Sequence, residues 1–200
     1  MYATIVIFIF VIVLAMRFSY LRKKEAEDME SFFERERKAN LSPNRDISNL
    51  SYITIPLEKF PSDYIDDEEK ALAAELNELS KKPLLNLSGL TNTELKERYG
   101  VANLTRLETI GDDYDKSMML ISSLASKRLE NKDYRGALSY LEFAAGTKTD
   151  VSSVYIMLGK CYSELGETEK IRDIINIVKS LDFSLKDKVI ENLSSYFPGL

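Results

Sequence analysis

Histidine, tryptophan and glutamine are absent from this sequence, and there is a single cysteine, Cys161. The lack of histidine removes the commonest general base, the commonest metal ligand and every Ser-His or Cys-His nucleophile. One cysteine cannot form an intramolecular disulfide or a thiolate metal cluster. No phosphate-binding glycine loop is present either, so we expect no catalytic, cofactor-binding or metal site and no small-molecule substrate.

Basic charge is also scarce, because 27 Lys and Arg residues stand against 32 Asp and Glu residues, for a formal net charge of -5. Nucleic-acid binding needs a concentrated basic face, so no nucleic-acid partner is expected. Two acidic runs, at 66–69 and at 112–115, lack the alternating spacing and central glycine of a calcium loop. We interpret both as the N-terminal ends of helices, where carboxylates favour the helix dipole.

One long apolar run stands out, the uncharged stretch from Tyr2 to Met16. As a helix it would rise only about 22 Å, which is less than the hydrocarbon core of a bilayer at about 30 Å. Continuing to Leu21 gives about 31 Å, with Arg17 able to extend to the headgroups and Tyr20 at the interface. The sequence therefore predicts a single transmembrane helix at residues 1–21.

Two other interpretations of this run are less consistent with its surroundings. A signal peptide would match its length, but no basic region precedes it and residues 16–18 are not a small-x-small cleavage site. A buried soluble helix would need partners on every side. Four basic residues directly follow the span: Arg17, Arg22, Lys23 and Lys24. They predict a cell-membrane location with the N-terminus outside and the rest of the chain in the cytoplasm.

Residues 22–63 are expected to link the anchor to a domain. Segment 22–38 mixes charges closely and has Ala26, Met29 and Phe33 at helical spacing, which favours a solvated helical spacer. A helix lying on the membrane through Phe32 and Phe33 is the alternative, which the acidic residues disfavour. Segment 40–63 contains three prolines, which favours an extended linker that we call the strap. Its apolar residues are expected to pack on the domain: Tyr52, Ile53, Ile55, Leu57 and Phe60.

Residues 64–200 carry helical patterns throughout. A short amphipathic helix is predicted at 66–79, and Thr91 with Glu94 has the spacing of a capping box. Segment 95–110, which follows this box, and a closing helix at 184–197 are expected to cap a helical stack at its two ends.

An internal repeat of about 34 residues occupies the region between these caps. Apolar or small residues recur at matched positions when the chain is aligned from Ile121 and from Tyr155, as in the pairs Leu124 with Leu158 and Leu141 with Ile175. The predicted units are residues 118–150 and 151–184. Each would form a helical hairpin that can bury its apolar face only by stacking on a neighbour.

The second unit resembles the tetratricopeptide repeat, as found in membrane-anchored bacterial proteins of this family. The residues that carry the resemblance are Tyr155, Leu158, Gly159 and Tyr162, followed by Gly166 at the turn, and Ala137 and Ala144 in the first unit. Arg128 stands where an aromatic residue is expected, Ile171 replaces a small residue, and the closing proline is missing. An ordinary helical bundle is the alternative. The expected fold is all-α: a transmembrane helix, then about two tetratricopeptide-like hairpins with flanking capping helices.

The resemblance implies a protein-protein interaction scaffold in which the first helix of each unit lines a groove. The implied groove positions are Met119, Ser122, Ser126, Leu129, Glu130, Ser153, Ile156, Lys160, Ser163 and Glu164. With Lys160 as the only cation among them, the groove does not suit a C-terminal carboxylate. The alternative function is a permanent non-catalytic subunit of a larger membrane complex, with the strap in a buried interface. Cys161, among the packing positions, is expected to be inert.

Overall fold

A computed structural model describes the backbone of residues 2–197 and the side chains of residues 5–7 and 10–197, so Met1 of the predicted anchor lies outside the described residues. Eight α-helices follow one another in the described chain: α1 Tyr2–Ala39, α2 Asp67–Leu79, α3 Asn92–Tyr99, α4 Leu104–Glu130, α5 Tyr134–Gly146, α6 Ser152–Glu164, α7 Glu169–Ser180 and α8 Lys186–Ser194. The described residues form no β-strand beyond an isolated bridge between Ile53 and Leu84. The all-α prediction is confirmed at this level.

Helix α1 runs without interruption from the apolar run into the charged segment. Its portion Ile5–Ala39 contains an 18-residue stretch that is apolar enough to cross a membrane, and none of that stretch is buried in the protein. Such complete exposure is what a lipid-facing helix requires, because a soluble core helix would be covered by its neighbours.

The chain divides into two compact units, of which the first contains the residues up to Ile47 and Thr91–Leu104. In this unit α1 packs against α3. The predicted capping box is present, since Thr91 accepts a hydrogen bond from the Glu94 amide and Glu94 accepts one from the Thr91 amide. That segment 95–110 caps the repeats stays a prediction.

The second unit contains Ser48–Leu90 and Thr105–Leu200. Its core is formed by the apolar faces of α2 and of α4 to α8, and Ile121, Leu124, Leu141 and Leu158 are fully buried in it. Helix α6 packs against α5, α7 and α8. The strap joins this core as expected, because Ile55 and Phe60 are buried and the Phe60 ring lies 4.5 Å from that of Tyr140.

Helix α4 is longer than the sequence predicts. Asp112, Asp113 and Asp115 were expected to precede a helix, but all three lie inside α4, which begins at Leu104. Asp113 is held by Lys82, whose Nζ lies 2.8 Å from a carboxylate oxygen. The three carboxylates lie on the solvent-facing side of α4, and the apolar residues lie on its other side. The carboxylates therefore indicate the exposed face of this helix and do not indicate its N-terminal end.

Glycine has a defined role at two predicted positions. Gly166 adopts a left-handed conformation with φ of 73° directly after α6, as a glycine at a helix C-terminus does. Gly159 permits the approach of α8, because a Cβ at this position would lie 2.4 Å from a methyl carbon of Leu193. Helix α8, at Lys186–Ser194, falls within the segment predicted as the closing helix.

Candidate functional site

The positions predicted to line a groove lie on α4 and α6. On α4, Met119 is 65% exposed, Glu130 is exposed, and Ser122 and Ser126 are half-buried. Leu129 is only 8% exposed and belongs to the apolar core. A partner could therefore touch four of the five α4 positions, whereas Leu129 stabilises the helix from beneath.

The α6 positions divide in a similar way. Ser153, Lys160 and Glu164 are exposed, whereas Ser163 and Ile156 are half-buried. Ile156 also packs against the core, so only part of its side chain is available to a partner. The exposed face formed by these α4 and α6 residues carries four serines, with Glu130, Lys160 and Glu164 as its charged members and Met119 and Ile156 as its apolar ones. We call it the serine face.

One direct contact joins the two helices at this face. The Ser122 and Ser153 hydroxyl oxygens lie 2.9 Å apart, with either able to donate the hydrogen bond. Farther along α4, the Ser126 hydroxyl lies 3.4 Å from a carboxylate oxygen of Glu130. The structure thus brings Ser122 of α4 and Ser153 of α6 together.

Electrostatics at the two tyrosines near α6 are dominated by burial and by Glu164. Burial raises the pKa of Tyr134, and the nearby carboxylate of Glu164 raises it further by disfavouring a phenolate. Burial, followed by Glu164 and Cys161, likewise raises the pKa of Tyr196. Both phenols are therefore protonated at neutral pH and can act as hydrogen-bond donors at the edge of the serine face.

No group near the serine face is activated as a nucleophile. Cys161 is fully buried, and burial raises the pKa of its thiol to about 11. The thiol is consequently protonated at neutral pH, when only a thiolate would be reactive. Within the part of the chain that the structure describes, no three His, Cys, Asp or Glu side chains come together as a metal site.

An ionic cluster around Arg128 is the most elaborate polar feature of the second unit, and sequence analysis did not predict it. The Arg128 Nε donates to a Glu69 carboxylate oxygen at 2.5 Å, and both side chains are almost fully buried, at 3% and 0% exposure. A second guanidinium nitrogen donates to Asp133 at 2.9 Å. A third contact reaches the backbone carbonyl of Asp63.

This cluster explains why an arginine can replace the expected aromatic residue. Glu69 belongs to α2, and its second oxygen accepts a hydrogen bond from the Ile65 amide at 2.6 Å. The neighbouring Lys127 binds Asp66 at 2.8 Å and Glu68 at 2.6 Å. The acidic start of α2 is thus fastened to α4 by two adjacent cations, and the charge run at 66–69 was the available signal.

A cleft of about 390 Å³ opens where the strap passes between α2 and α5. Its apolar lining includes Leu57, Phe60 and Tyr140, and Lys70 and Asn77 stand among its polar residues. Tyr64 and Ile65 are 45% and 39% exposed. The cleft lies on a surface away from the predicted groove residues, none of which line it.

Comparison of this chain with protein-family models, with curated proteins and with solved structures found no match. The resemblance to the tetratricopeptide repeat therefore stays a prediction, and function has to be argued from the residues themselves.

Proposed function

We propose that this chain is a membrane-anchored interaction scaffold, in which a transmembrane helix holds a tetratricopeptide-like domain at the cytoplasmic surface of the cell membrane. The observation that carries the proposal is α1, whose apolar residues are exposed on all sides in a stretch long enough to span a bilayer. The basic residues after the span favour a cytoplasmic domain. Anchoring raises the effective concentration of the domain towards partners at the same surface.

The repeat interpretation is supported by the packing of α6. This helix contacts the preceding helix α5, its own hairpin partner α7 and the closing helix α8, and it meets α4 through Ser122 and Ser153. The four residues that carry the resemblance in this helix are all buried: Tyr155, Leu158, Gly159 and Tyr162. A first helix that packs against both neighbours in this way is what a stacked hairpin array requires.

We infer that the serine face binds a protein partner. The serine face offers hydroxyl groups, two partly exposed apolar side chains and Lys160. These groups can form hydrogen bonds and apolar contacts with the backbone and side chains of an extended peptide or a helix. The alternative of a permanent subunit that buries its strap loses its main support, since Ile55 and Phe60 already pack within the chain's own core.

Two measurements test this proposal. Membranes from cells that produce the full-length chain are washed with high salt and with alkaline carbonate, and the chain is expected to stay in the pellet. Protease added to inverted membrane vesicles should digest the domain, whereas protease added to intact spheroplasts should not. Release by carbonate would contradict the anchor, and digestion in spheroplasts would contradict the orientation.

The partner is tested by photo-crosslinking in intact cells. A photoreactive amino acid at Met119 or at Lys160 is expected to capture one defined protein, whereas the same probe at Asn176, which is exposed on α7, should not. Equal capture from all three positions would mean that the serine face is no more than a solvated surface. Size separation after extraction in mild detergent then tells a transient complex from a permanent one, because a permanent subunit would never run as a free chain.

A further inference from the structure

The charged part of α1 carries an apolar face that has no partner in the described structure. Met29, Phe32 and Phe33 are 56%, 54% and 56% exposed. The two phenylalanine rings contact each other edge to face, with centroids 5.7 Å apart. We call these three residues, together with Ala26 on the same side of the helix, the stalk face.

Charges on the opposite side of this helix are paired within the helix itself. Lys23 lies 3.8 Å from Glu27, and Lys38 lies 2.9 Å from Glu34. At about 100° per residue these four side chains lie about 120–180° around the helix from Met29. This part of α1, residues 22–38, which we call the stalk, is therefore amphipathic: its back is salt-bridged, and the stalk face forms an apolar patch on its front.

Lipid does not reach the stalk face if α1 leaves the bilayer near Leu21. At 1.5 Å per residue, Met29 and Phe33 lie about 12 and 18 Å above that level, and about 9 and 14 Å above it at a steep tilt of about 40°. The headgroup layer is only about 5–7 Å thick. These side chains consequently lie in water above the membrane surface.

The C-terminal end of the stalk is held by α3. Arg35 donates to both carboxylate oxygens of Glu97 on α3, at 2.8 and 2.7 Å. Glu36 accepts a hydrogen bond from Thr93 at 2.6 Å and pairs with Lys96. These contacts begin two residues after Phe33, so the stalk face is fixed as part of a continuous helix between its two ends.

We propose that the stalk face binds the stalk face of a second copy of this chain in the same membrane, which rests on the membrane anchorage proposed above. Two copies inserted in the same orientation present identical residues at the same height, so the two apolar faces meet in parallel and in register. Arg22 and Glu25 lie within about 40° of Met29 on the same face. In a parallel pair, Arg22 of each copy comes within one helical turn of Glu25 of the other, where opposite charges attract.

The small size of the face makes this pairing depend on the anchor. Stable complexes between freely diffusing proteins bury at least about 1,000 Å², which three or four side chains per copy do not supply. Confinement of both copies to one membrane supplies the effective concentration instead. The pairing should therefore occur in membranes and disappear when the chain is dissolved as separate molecules.

Cysteine crosslinking in native membranes tests this inference directly. The wild-type chain is a suitable background, because its one cysteine, Cys161, is buried and its thiol has a raised pKa. Full-length A26C and E27C variants are each produced in two differently tagged forms and treated with a short bismaleimide. Residue 26 lies on the stalk face and residue 27 on the salt-bridged back. We expect A26C to give a product that carries both tags with a yield at least about ten times that of E27C.

A second variant separates a specific contact from mere crowding. Replacing Phe32 and Phe33 by aspartate in the A26C chain is expected to reduce the doubly tagged product to the E27C yield. Equal crosslinking of A26C and E27C, or no effect of the aspartates, would overturn the inference. So would a product containing one copy and a different protein, which would mean that another membrane protein covers the face. Carbonate extraction of the same membranes is the separate check, because only loss from the pellet would contradict the anchor itself.

Discussion

At the scale of single residues, Arg128 is the position on which the second unit depends most. Replacing it by methionine (R128M) would leave the buried Glu69 carboxylate without its cation, and removal of one partner of a buried ion pair costs about 3–5 kcal/mol. We expect R128M to lower the free energy of unfolding of the full-length chain by this amount. Denaturant titration in mild detergent, followed by circular dichroism, measures it.

A matched control for this variant is K116M. Lys116 pairs with Glu75 of α2 at 2.6 Å, but both side chains are about half exposed, so little change is expected. The double variant E69Q/R128M should lose less than the sum of the two single variants, because the two residues act as a pair. Wild-type stability for R128M would show that the cluster makes no net contribution.

Alkaline pH should destabilise the fold through four buried acids that are neutral in the folded state. Burial raises the pKa of Cys161 from 9.0 to about 11 and that of Tyr140 from 10.0 to about 12, and it also raises the pKa values of Tyr155 and Tyr162. These four groups ionise at lower pH in the unfolded chain than in the folded one. Their contribution to the free energy of unfolding is therefore fully present below about pH 9 and is lost as the pH rises through about 11 to 12. Denaturant titrations at several pH values measure this loss, and C161A should remove its earliest part. A flat profile would contradict the burial of these groups.

Sequence patterns predicted the role of some residues and missed that of others, for physical reasons. Gly166, the Thr91–Glu94 box and the burial of Cys161 were predictable because each depends on local spacing or on a strong apolar pattern. Arg128 was recognised only as a departure from the repeat. Its partner Glu69 is 59 positions away in sequence, and no local pattern reveals which distant charge will pair with a buried one.

At the scale of helices, close packing of α8 on α6 depends on the missing side chain of Gly159. A Cβ there would lie 2.4 Å from a methyl carbon of Leu193 and 3.3 Å from the Tyr196 ring. We expect G159A to cost about 1–3 kcal/mol, as overpacking of a core does, and to raise hydrogen exchange in α8 above that of α5. G146A is the control, because a Cβ at Gly146 meets nothing within 4 Å. Unchanged exchange in α8 of G159A would show that α8 is not held by this contact.

Helix α3 illustrates what periodicity alone does not settle. Its capping box was predictable, but its packing partner was not, because Arg35 and Glu97 are separated by 62 residues in sequence. Likewise, apolar periodicity placed the start of the first repeat helix near residue 118, whereas α4 begins at Leu104. Residues 104–117 continue the apolar pattern of the same helix face. The local sequence therefore contains no signal for a helix boundary near residue 118.

The contact between α1 and α3 can be tested by exchanging charges. R35E would place two carboxylates together where the Arg35 guanidinium now bridges Glu97 at 2.7 Å, and we expect faster hydrogen exchange in α3. The exchanged pair R35E/E97R should restore slow exchange, because the attraction returns with the signs reversed. K23E serves as the control, since Lys23 lies on α1 away from α3 and its pair with Glu27 is highly exposed. Fast exchange in R35E/E97R would mean that the charges do not hold α3 in place.

At the scale of the whole molecule, we expect the proposed anchor to be separable from the folded domain. None of the apolar stretch within α1 is buried in the protein, and among the described side chains the first fully buried apolar residue is Ala39. The core of the second unit draws only on residues from Ile53 onwards. Lipid, and not the rest of the chain, is therefore the proposed environment of the apolar part of α1.

Deleting residues 2–21 should consequently yield a soluble chain with the same core. We expect its thermal midpoint to lie within a few degrees of that of the full-length chain in detergent, because a shift of about 1 kcal/mol moves the midpoint of a domain of this size by only about 2–4 °C. It should also run as a monomer, since without the membrane the stalk face is too small to hold two copies together. Circular dichroism melts and light scattering provide the two readouts. Aggregation or loss of helical signal would mean that the N-terminal helix packs within the domain, and the assignment of an anchor would then fail.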